Sequence, residues 1–385
     1  MIGISKITGY FPQRYVKMKD LAVARCEDPQ KYLIGLGQEK MAVVGGNEDG
    51  VSLGLNAVKR LIKDLDDREK SQIKMVIWAT ESSTDESKAA SLNLIDTLQL
   101  PNNGRYFEIK EACYGGTAAL TLAFAQVALH PETKIIVVTS DIARYGLKTK
   151  GEVTQGAGSI AMMVEDSSNI VLSPFGQSAY YAKNIADFYR PQGQNAAIVQ
   201  GQLSNQSYLN FFYQVFQDFF KKQDLVPEEI KLINFHLPYT KIGLKGLEKV
   251  KDQVSLSTYE EWVKLFNQGK ALNAEIGNIY TGSLYLNLIS NMLQGNFSSG
   301  DLLGMYSYGS GAQGEFYVLK VQQLWKMPEI EDLFINRKAI SVEEYENLYR
   351  ETTSNLNQTF NSEGIRHGDF YLKFIKNGER FYEQA

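Results

Sequence analysis

The same order of apolar runs and helical stripes occurs twice along this chain, and no other feature narrows its possible folds as far. In residues 1–166, KMVIWATES (74–82), KIIVVTSDI (134–142) and SIAMMVED (159–166) are short apolar runs with polar ends, the pattern of buried strands. Val51, Leu55, Val58, Ile62 and Leu65 recur at helical spacing. In residues 167–330 the order returns with unrelated letters: KLINFHLPY (231–239), DLLGMYSYGSG (301–311) and EFYVLKVQQ (315–323). Tyr208, Phe212, Val215 and Phe219 mark one helix of this half, and GNIYTGSLYLNLISNML (277–293) turns apolar at Leu284, Leu288 and Met292 to make another. Strands interleaved with helices predict a mostly parallel α/β layer structure. Two such halves facing each other would surround one site, beyond the carboxyl ends of their strands.

Laid over each other, the halves set Glu81 opposite His236, Cys113 near Asn278, and Ser140-Asp141 opposite Ser307-Tyr308-Gly309. Residues 331–385 follow neither pattern. There Ser341 and Glu344 form a capping box for a helix running toward residue 356, and Asn377-Gly378 between FYLKFIK and ERFYEQ signals a hairpin turn. This segment reads as an appended helix and hairpin, expected to pack on the second half.

Composition removes several functions. With 385 residues and 44% hydrophobic content the chain can bury a large core, and its 40 basic and 44 acidic residues are intermixed, so no nucleic-acid partner is expected. MIGISKITGYFP lacks a charged region followed by an apolar one, and no window holds the ~18 consecutive apolar residues of a span, so a membrane-free, cytoplasmic protein is expected. Cys26 and Cys113 are too few for a disulfide framework, and His130, His236 and His367 lack ligand spacing, which argues against a metal.

The chemistry must therefore come from few side chains. In EACYGGTAALTLAF (111–124), Cys113 stands at the mouth of a helix and before two glycines. A helix N-terminus lowers a thiol pKa; the plainer alternative is a small buried hydrophobe. His236 ends an apolar strand, where an imidazole polarises a carbonyl or holds a structural hydrogen bond. Glu81 also ends an apolar run, where a carboxylate needs partners or a raised pKa. Together with Asn278, these residues at matching positions suggest acyl transfer through a thioester: Cys113 accepts the acyl group, Glu81 moves a proton at carbon, and His236 with Asn278 orients a second substrate. GSGAQG (309–314) formally matches a dinucleotide fingerprint but precedes a strand, as does TQGAGS (154–159). Both suit glycine turns that offer backbone amides to a reacting carbonyl.

EACYGGTAA, ATESSTDESK (79–88), SDIARYG, TQGAGS, DFYRP, FHLPYTK, GNIYTGSLY and SYGSG, taken in order, resemble the bacterial 3-hydroxy-3-methylglutaryl-CoA synthases of the thiolase superfamily. The resemblance implies a five-layered αβαβα fold and a ping-pong condensation of acetyl-CoA with acetoacetyl-CoA in the mevalonate route to isoprenoids. It implies a homodimer with no metal and no cofactor, the CoA thioesters being substrates. By position it puts the nucleophile on Cys113, the general base/acid on Glu81 and the acetoacetyl-orienting imidazole on His236. Asn278 and Ser310 match residues that hold the acetoacetyl group, with the Ser310 N–H as an oxyanion donor. Asp141, Tyr145 and Asp187 match secondary positions near the acyl group, and Lys241 and Lys245 match basic residues beside the CoA channel. AAIVQG (196–201) departs from the family, carrying Gln200 where an acid is usual. Among rivals, a Cys-His-Asn ketoacyl synthase does not explain Glu81, a biosynthetic thiolase would need a second cysteine near the C-terminus, and a polyketide β-branching synthase acting on a carrier protein would keep the triad. A non-catalytic acyl-CoA-binding scaffold would have no use for it.

Overall fold

A computed structural model describes residues 1–167, 171–323, 330, 332–335, 337–353 and 357–385. The expected boundary at 331 and the expected helix end at 356 lie outside these described residues. The first half contributes β1 (Ile2–Tyr10), α1 (Gly50–Ile62), β2 (Ile73–Ala79), β3 (Arg105–Ile109), α2 (Gly115–Leu129), β4 (Lys134–Ile142) and β5 (Ala157–Asp166). The second contributes β6 (Leu172–Ala182), α3 (Gly201–Lys222), β7 (Ile230–Phe235), α4 (Ser283–Leu293), β8 (Leu302–Gly309) and β9 (Gln313–Val321).

All of these strands join one nine-stranded sheet in the order β7-β8-β9-β6-β1-β5-β4-β2-β3. Read outward from its middle, the first half runs β1-β5-β4-β2-β3 and the second β6-β9-β8-β7, so the duplication is real and only β3 has no counterpart among the described residues. The two blocks meet where Ile4 of β1 pairs with Leu172 of β6.

The expectation of a mostly parallel sheet is overturned. β2 is parallel to β3 and β4, and β7 to β8; the other neighbours are antiparallel. Strand direction follows from the connection: GSGAQG is the tight turn of the β8–β9 hairpin, and no helix crosses between β4 and β5.

The layers alternate as α1, first block, α2 with α4, second block, α3, the expected αβαβα order. In the middle layer the Thr117 hydroxyl of α2 bonds the Tyr285 hydroxyl of α4 at 3.0 Å and donates to Ser307 of β8 at 2.8 Å, so one threonine ties both halves together. Phe212, Phe216 and Phe219 of α3 pack on Phe316 and Val318 of β9 on the outer face. The segment Ala112–Leu129, which contains α2, is long and apolar enough by composition to cross a membrane; in the fold it is this middle-layer helix, buried on one side and exposed at Leu122 and Leu129 on the other.

The tail packs on the first half, and the expectation that it covers the second is wrong. α5 (Val342–Glu351) is capped by Ser341, whose hydroxyl accepts the Glu344 N–H at 3.0 Å. β10 (Phe370–Lys376) and β11 (Glu379–Gln384) form the expected hairpin, with Asn377 at φ 54° and Gly378 at φ 83°. Asn56 of α1 donates to the Phe370 carbonyl at 2.9 Å and accepts the Phe370 N–H at 2.7 Å. Asp49 at the head of α1 accepts from Arg380 at 3.1 Å and Tyr382 at 2.9 Å. The physical reason is the burial of α1 on almost every side, with the sheet on one face. Its far face needs a cover, and the hairpin supplies it.

Candidate active site

Glu81 stands two residues beyond β2, between Thr80 and Ser82. The neighbouring strand β4 carries Asp141, wholly buried, whose Oδ1 accepts from the Thr80 hydroxyl at 2.7 Å, the Glu81 N–H at 3.0 Å and the Ser82 hydroxyl at 2.7 Å. Its Oδ2 accepts the Thr281 N–H at 3.2 Å and the Thr281 hydroxyl. Asp141 thus fixes the backbone from which Glu81 projects, and so governs the site from behind the reacting groups. Glu81 is 7% exposed. Burial first, and then the Asp141 charge, push its carboxyl up to about 8.

Cys113 follows Ala112, which is held at φ 40°, and precedes Tyr114 at the start of α2. Its Sγ donates to Glu81 Oε1 at 3.1 Å. The expected lowering of the thiol pKa by the helix is overturned. Burial, followed by the charge and hydrogen bond of Glu81 and the charges of Asp141 and Asp187, raises the thiol. A helix end offers only about half a unit of positive charge, which neighbouring carboxylates and desolvation outweigh.

Asn278 completes this side. Its amide donates to the Tyr145 hydroxyl at 3.1 Å, while its oxygen accepts the Tyr280 N–H at 2.9 Å and the Ser283 hydroxyl at 2.7 Å. Tyr145, Phe188 and Tyr280 meet edge to face and form an apolar wall that includes Cys113. TQGAGS has a different use from the expected amide donation: a Cβ on Gly156 would lie 2.6 Å from the Ile276 carbonyl, so the glycine lets the helix end before Asn278 come close.

His236 follows β7, its N–H bonded to the Tyr306 carbonyl at 2.9 Å and its carbonyl accepting the Tyr208 hydroxyl at 2.7 Å. The ring is 2% exposed and Nδ1 has no protein partner among the described residues. Burial lowers its pKa to about 3, so the imidazole is neutral at ordinary pH. No hydrogen bond between described residues joins it to Glu81 or Cys113. Asp187, also wholly buried, accepts from the Tyr308 hydroxyl at 2.9 Å and the Gly311 N–H at 3.0 Å. It anchors the β8–β9 turn so that Ser310 and Gly311 line a cleft of about 1580 Å³ together with Glu81, Ala112 and Arg190.

Gln200 resolves the unusual AAIVQG loop. Its side chain donates to the Ala186 carbonyl and its N–H to the Asp187 carbonyl, both at 2.8 Å, which closes the loop behind Asp187. Lys241 and Lys245 stand apart from the thiol: one donates to the Ile34 carbonyl at 3.2 Å and the other to the Tyr239 hydroxyl at 3.0 Å.

Sequence reasoning missed Thr80, Ser82, Thr281, Tyr280 and Phe188, and set Tyr308 at a corresponding strand end without giving it a role. Thr80 and Ser82 straddle Glu81 in ATESS, and Tyr280 lies two residues from Asn278, so adjacency was the only signal available.

The duplicated sheet, with strand ends of its first half turned on one thiol and one carboxyl, defines a thiolase-like fold. The family model described as hydroxymethylglutaryl-coenzyme A synthase N terminal matches residues 1–169, and its C-terminal counterpart matches 244–383. The hydroxymethylglutaryl-CoA synthase of Enterococcus faecalis is 40% identical over 370 residues, covering 94% of this chain and 95% of that protein. The polyketide biosynthesis 3-hydroxy-3-methylglutaryl-ACP synthase of Bacillus subtilis is 30% identical, covering 90% and 88%. A crystal structure of an HMG-CoA synthase complexed with CoA superposes with a TM-score of 0.93 at 36% identity and covers both chains fully. The chain belongs to the hydroxymethylglutaryl-CoA synthase family.

Proposed function

We propose that this enzyme condenses acetyl-CoA with acetoacetyl-CoA and water to give 3-hydroxy-3-methylglutaryl-CoA and CoA, in the mevalonate route to isoprenoids. The observation that carries the reading is the 3.1 Å hydrogen bond from Cys113 Sγ to Glu81 Oε1, which sets a nucleophile against a proton carrier. Cys113 attacks the thioester carbonyl of acetyl-CoA, the C–S bond to CoA breaks, and the proton lost by Cys113 leaves on the CoA thiol. Ionised Glu81 then takes a proton from the acetyl methyl group, and the resulting carbanion adds to the ketone carbon of acetoacetyl-CoA. Neutral His236 donates a hydrogen bond to the ketone oxygen as it gains charge, the proton that Glu81 took from the methyl group ends on that oxygen as the product hydroxyl, Asn278 orients the second substrate, and the Ser310 N–H serves an acyl oxygen. Water cleaves the Cys113 thioester and frees the product acid. Lys241 and Lys245 suit the phosphates of CoA.

We also propose a homodimer working in the cytoplasm, where thiols stay reduced. α2 is apolar on every side, yet Leu122 is 47% and Leu129 73% exposed, and the adjacent strand β3 ends the sheet with one edge unpaired among the described residues. A second copy would cover both.

Intact-protein mass spectrometry after mixing with acetyl-CoA, then acetoacetyl-CoA, tests the reading on wild type and Cys113→Ser. An acetyl adduct on wild type alone, discharged as 3-hydroxy-3-methylglutaryl-CoA accumulates, is expected. An adduct that acetoacetyl-CoA does not discharge would favour a carrier-protein substrate, and no adduct would make Cys113 structural.

A further inference from the structure

Side chains alternate across β9. Phe316 and Val318 face the aromatic core under α3, whereas Tyr317, Leu319 and Val321 face the core shared with the middle helices. Glu315 is in phase with the second set and is 5% exposed. A carboxylate on that face is largely shielded from solvent, and among the described residues it has no cation within ion-pair distance and one hydrogen bond. That bond comes from the Tyr114 hydroxyl, at 2.5 Å. A buried acid so thinly supported costs stability, and an apolar residue would suit the sheet better.

Tyr114 follows Cys113 directly and opens α2. The turn before it is tightly constrained. Ala112 sits at φ 40°, and the end of β8 presses on the same backbone, since a Cβ on Gly309 would lie 2.7 Å from both the Tyr114 nitrogen and the Glu111 carbonyl oxygen. Residues in such backbone regions persist only where the surroundings over-determine them. The Tyr114–Glu315 bond is a side-chain tie that reaches this turn from the opposite half of the molecule. Burial and the Glu315 charge keep the phenol protonated, and therefore a donor.

We infer that Glu315 is a positioning residue for the nucleophile: by holding the Tyr114 hydroxyl it fixes the turn that aims Cys113 Sγ at Glu81. The inference rests on the reading that Cys113 is acylated.

Full-length Glu315→Ala, Glu315→Gln and Tyr114→Phe test it by single-turnover formation of the acetyl adduct, KM for acetyl-CoA and melting temperature. Glu315→Ala and Tyr114→Phe should slow acetylation roughly tenfold to a hundredfold, the scale of a small misplacement. KM should stay within about twofold, since the thioester's binding contacts are untouched. Glu315→Gln should recover most of the rate, because an amide oxygen also accepts from the phenol. Acetylation at the wild-type rate in Tyr114→Phe, or a glutamine variant as slow as the alanine one, would overturn the proposal. If Glu315→Ala does not fold, Tyr114→Phe and Glu315→Gln decide between the same outcomes. Absence of an adduct on wild type would instead overturn the reading of Cys113, and this inference with it.

Discussion

The carboxylate of Asp141 accepts the backbone N–H of Glu81 at 3.0 Å, so one buried acid anchors the main chain that carries the other. Asp141→Asn keeps the shape but turns an NH₂ group toward hydroxyl and amide donors. The variant should lose about 1–3 kcal/mol for each donor left unpaired, seen in urea denaturation. Its missing charge also removes one cause of the raised Glu81 pKa, so the pH midpoint of condensation should move down from about 8.

Glu81→Ala should separate the two half-reactions. The substitution removes the charge and hydrogen bond that, after burial, do most to raise the Cys113 thiol. Acetyl transfer should therefore survive, while condensation falls by about 10²–10⁴, the usual loss for a missing general base. Mass spectrometry of the adduct beside a product assay distinguishes the steps; a variant that folds but does not acetylate would assign Glu81 another role.

Condensation should climb with pH. In the proposed mechanism Glu81 serves as a base only when ionised, and its pKa near 8 leaves it mostly protonated at neutrality. The rate at which acetoacetyl-CoA discharges the adduct should rise through about pH 8 and then level off. His236 contributes no limb between about pH 5 and 9, being neutral throughout that range. Discharge rates measured across that range, with a fall on the alkaline side, would contradict this assignment.

Leu122→Glu places a charge on the exposed apolar side of α2. Sedimentation should show a monomer where wild type is a dimer, with little change in the far-ultraviolet spectrum, because the position is not in the core. A wild-type monomer would refute the proposed pairing.

Much of this architecture was legible because buried strands announce themselves. KIIVVTSDI coincides with β4 residue for residue, and the repeated order anticipated which strand ends correspond. Strand direction is not legible from apolar runs, since GSGAQG fits a loop that offers amides to a carbonyl as well as it fits a hairpin turn. The site followed the same division. Glu81 and Cys113 stood out as polar residues in apolar surroundings, whereas the hydroxyls of Thr80, Ser82 and Thr281 are of a kind common at any strand end. The raised thiol depends on Glu81, Asp141 and Asp187, which only folding brings near Cys113. Glu315 was readable in principle, as an acid in phase with Tyr317 and Leu319 in EFYVLKV.

The C-terminal hairpin has a bearing on how the molecule is made. Asn56 and its partner Phe370 are 314 positions apart, so α1 emerges from the ribosome long before its outer cover exists. A nascent first half must wait with an apolar helix face open, exposed to chaperones or to other nascent chains, until the second half has been synthesised. Quality control of this protein is therefore a matter of time spent unfinished as much as of final stability.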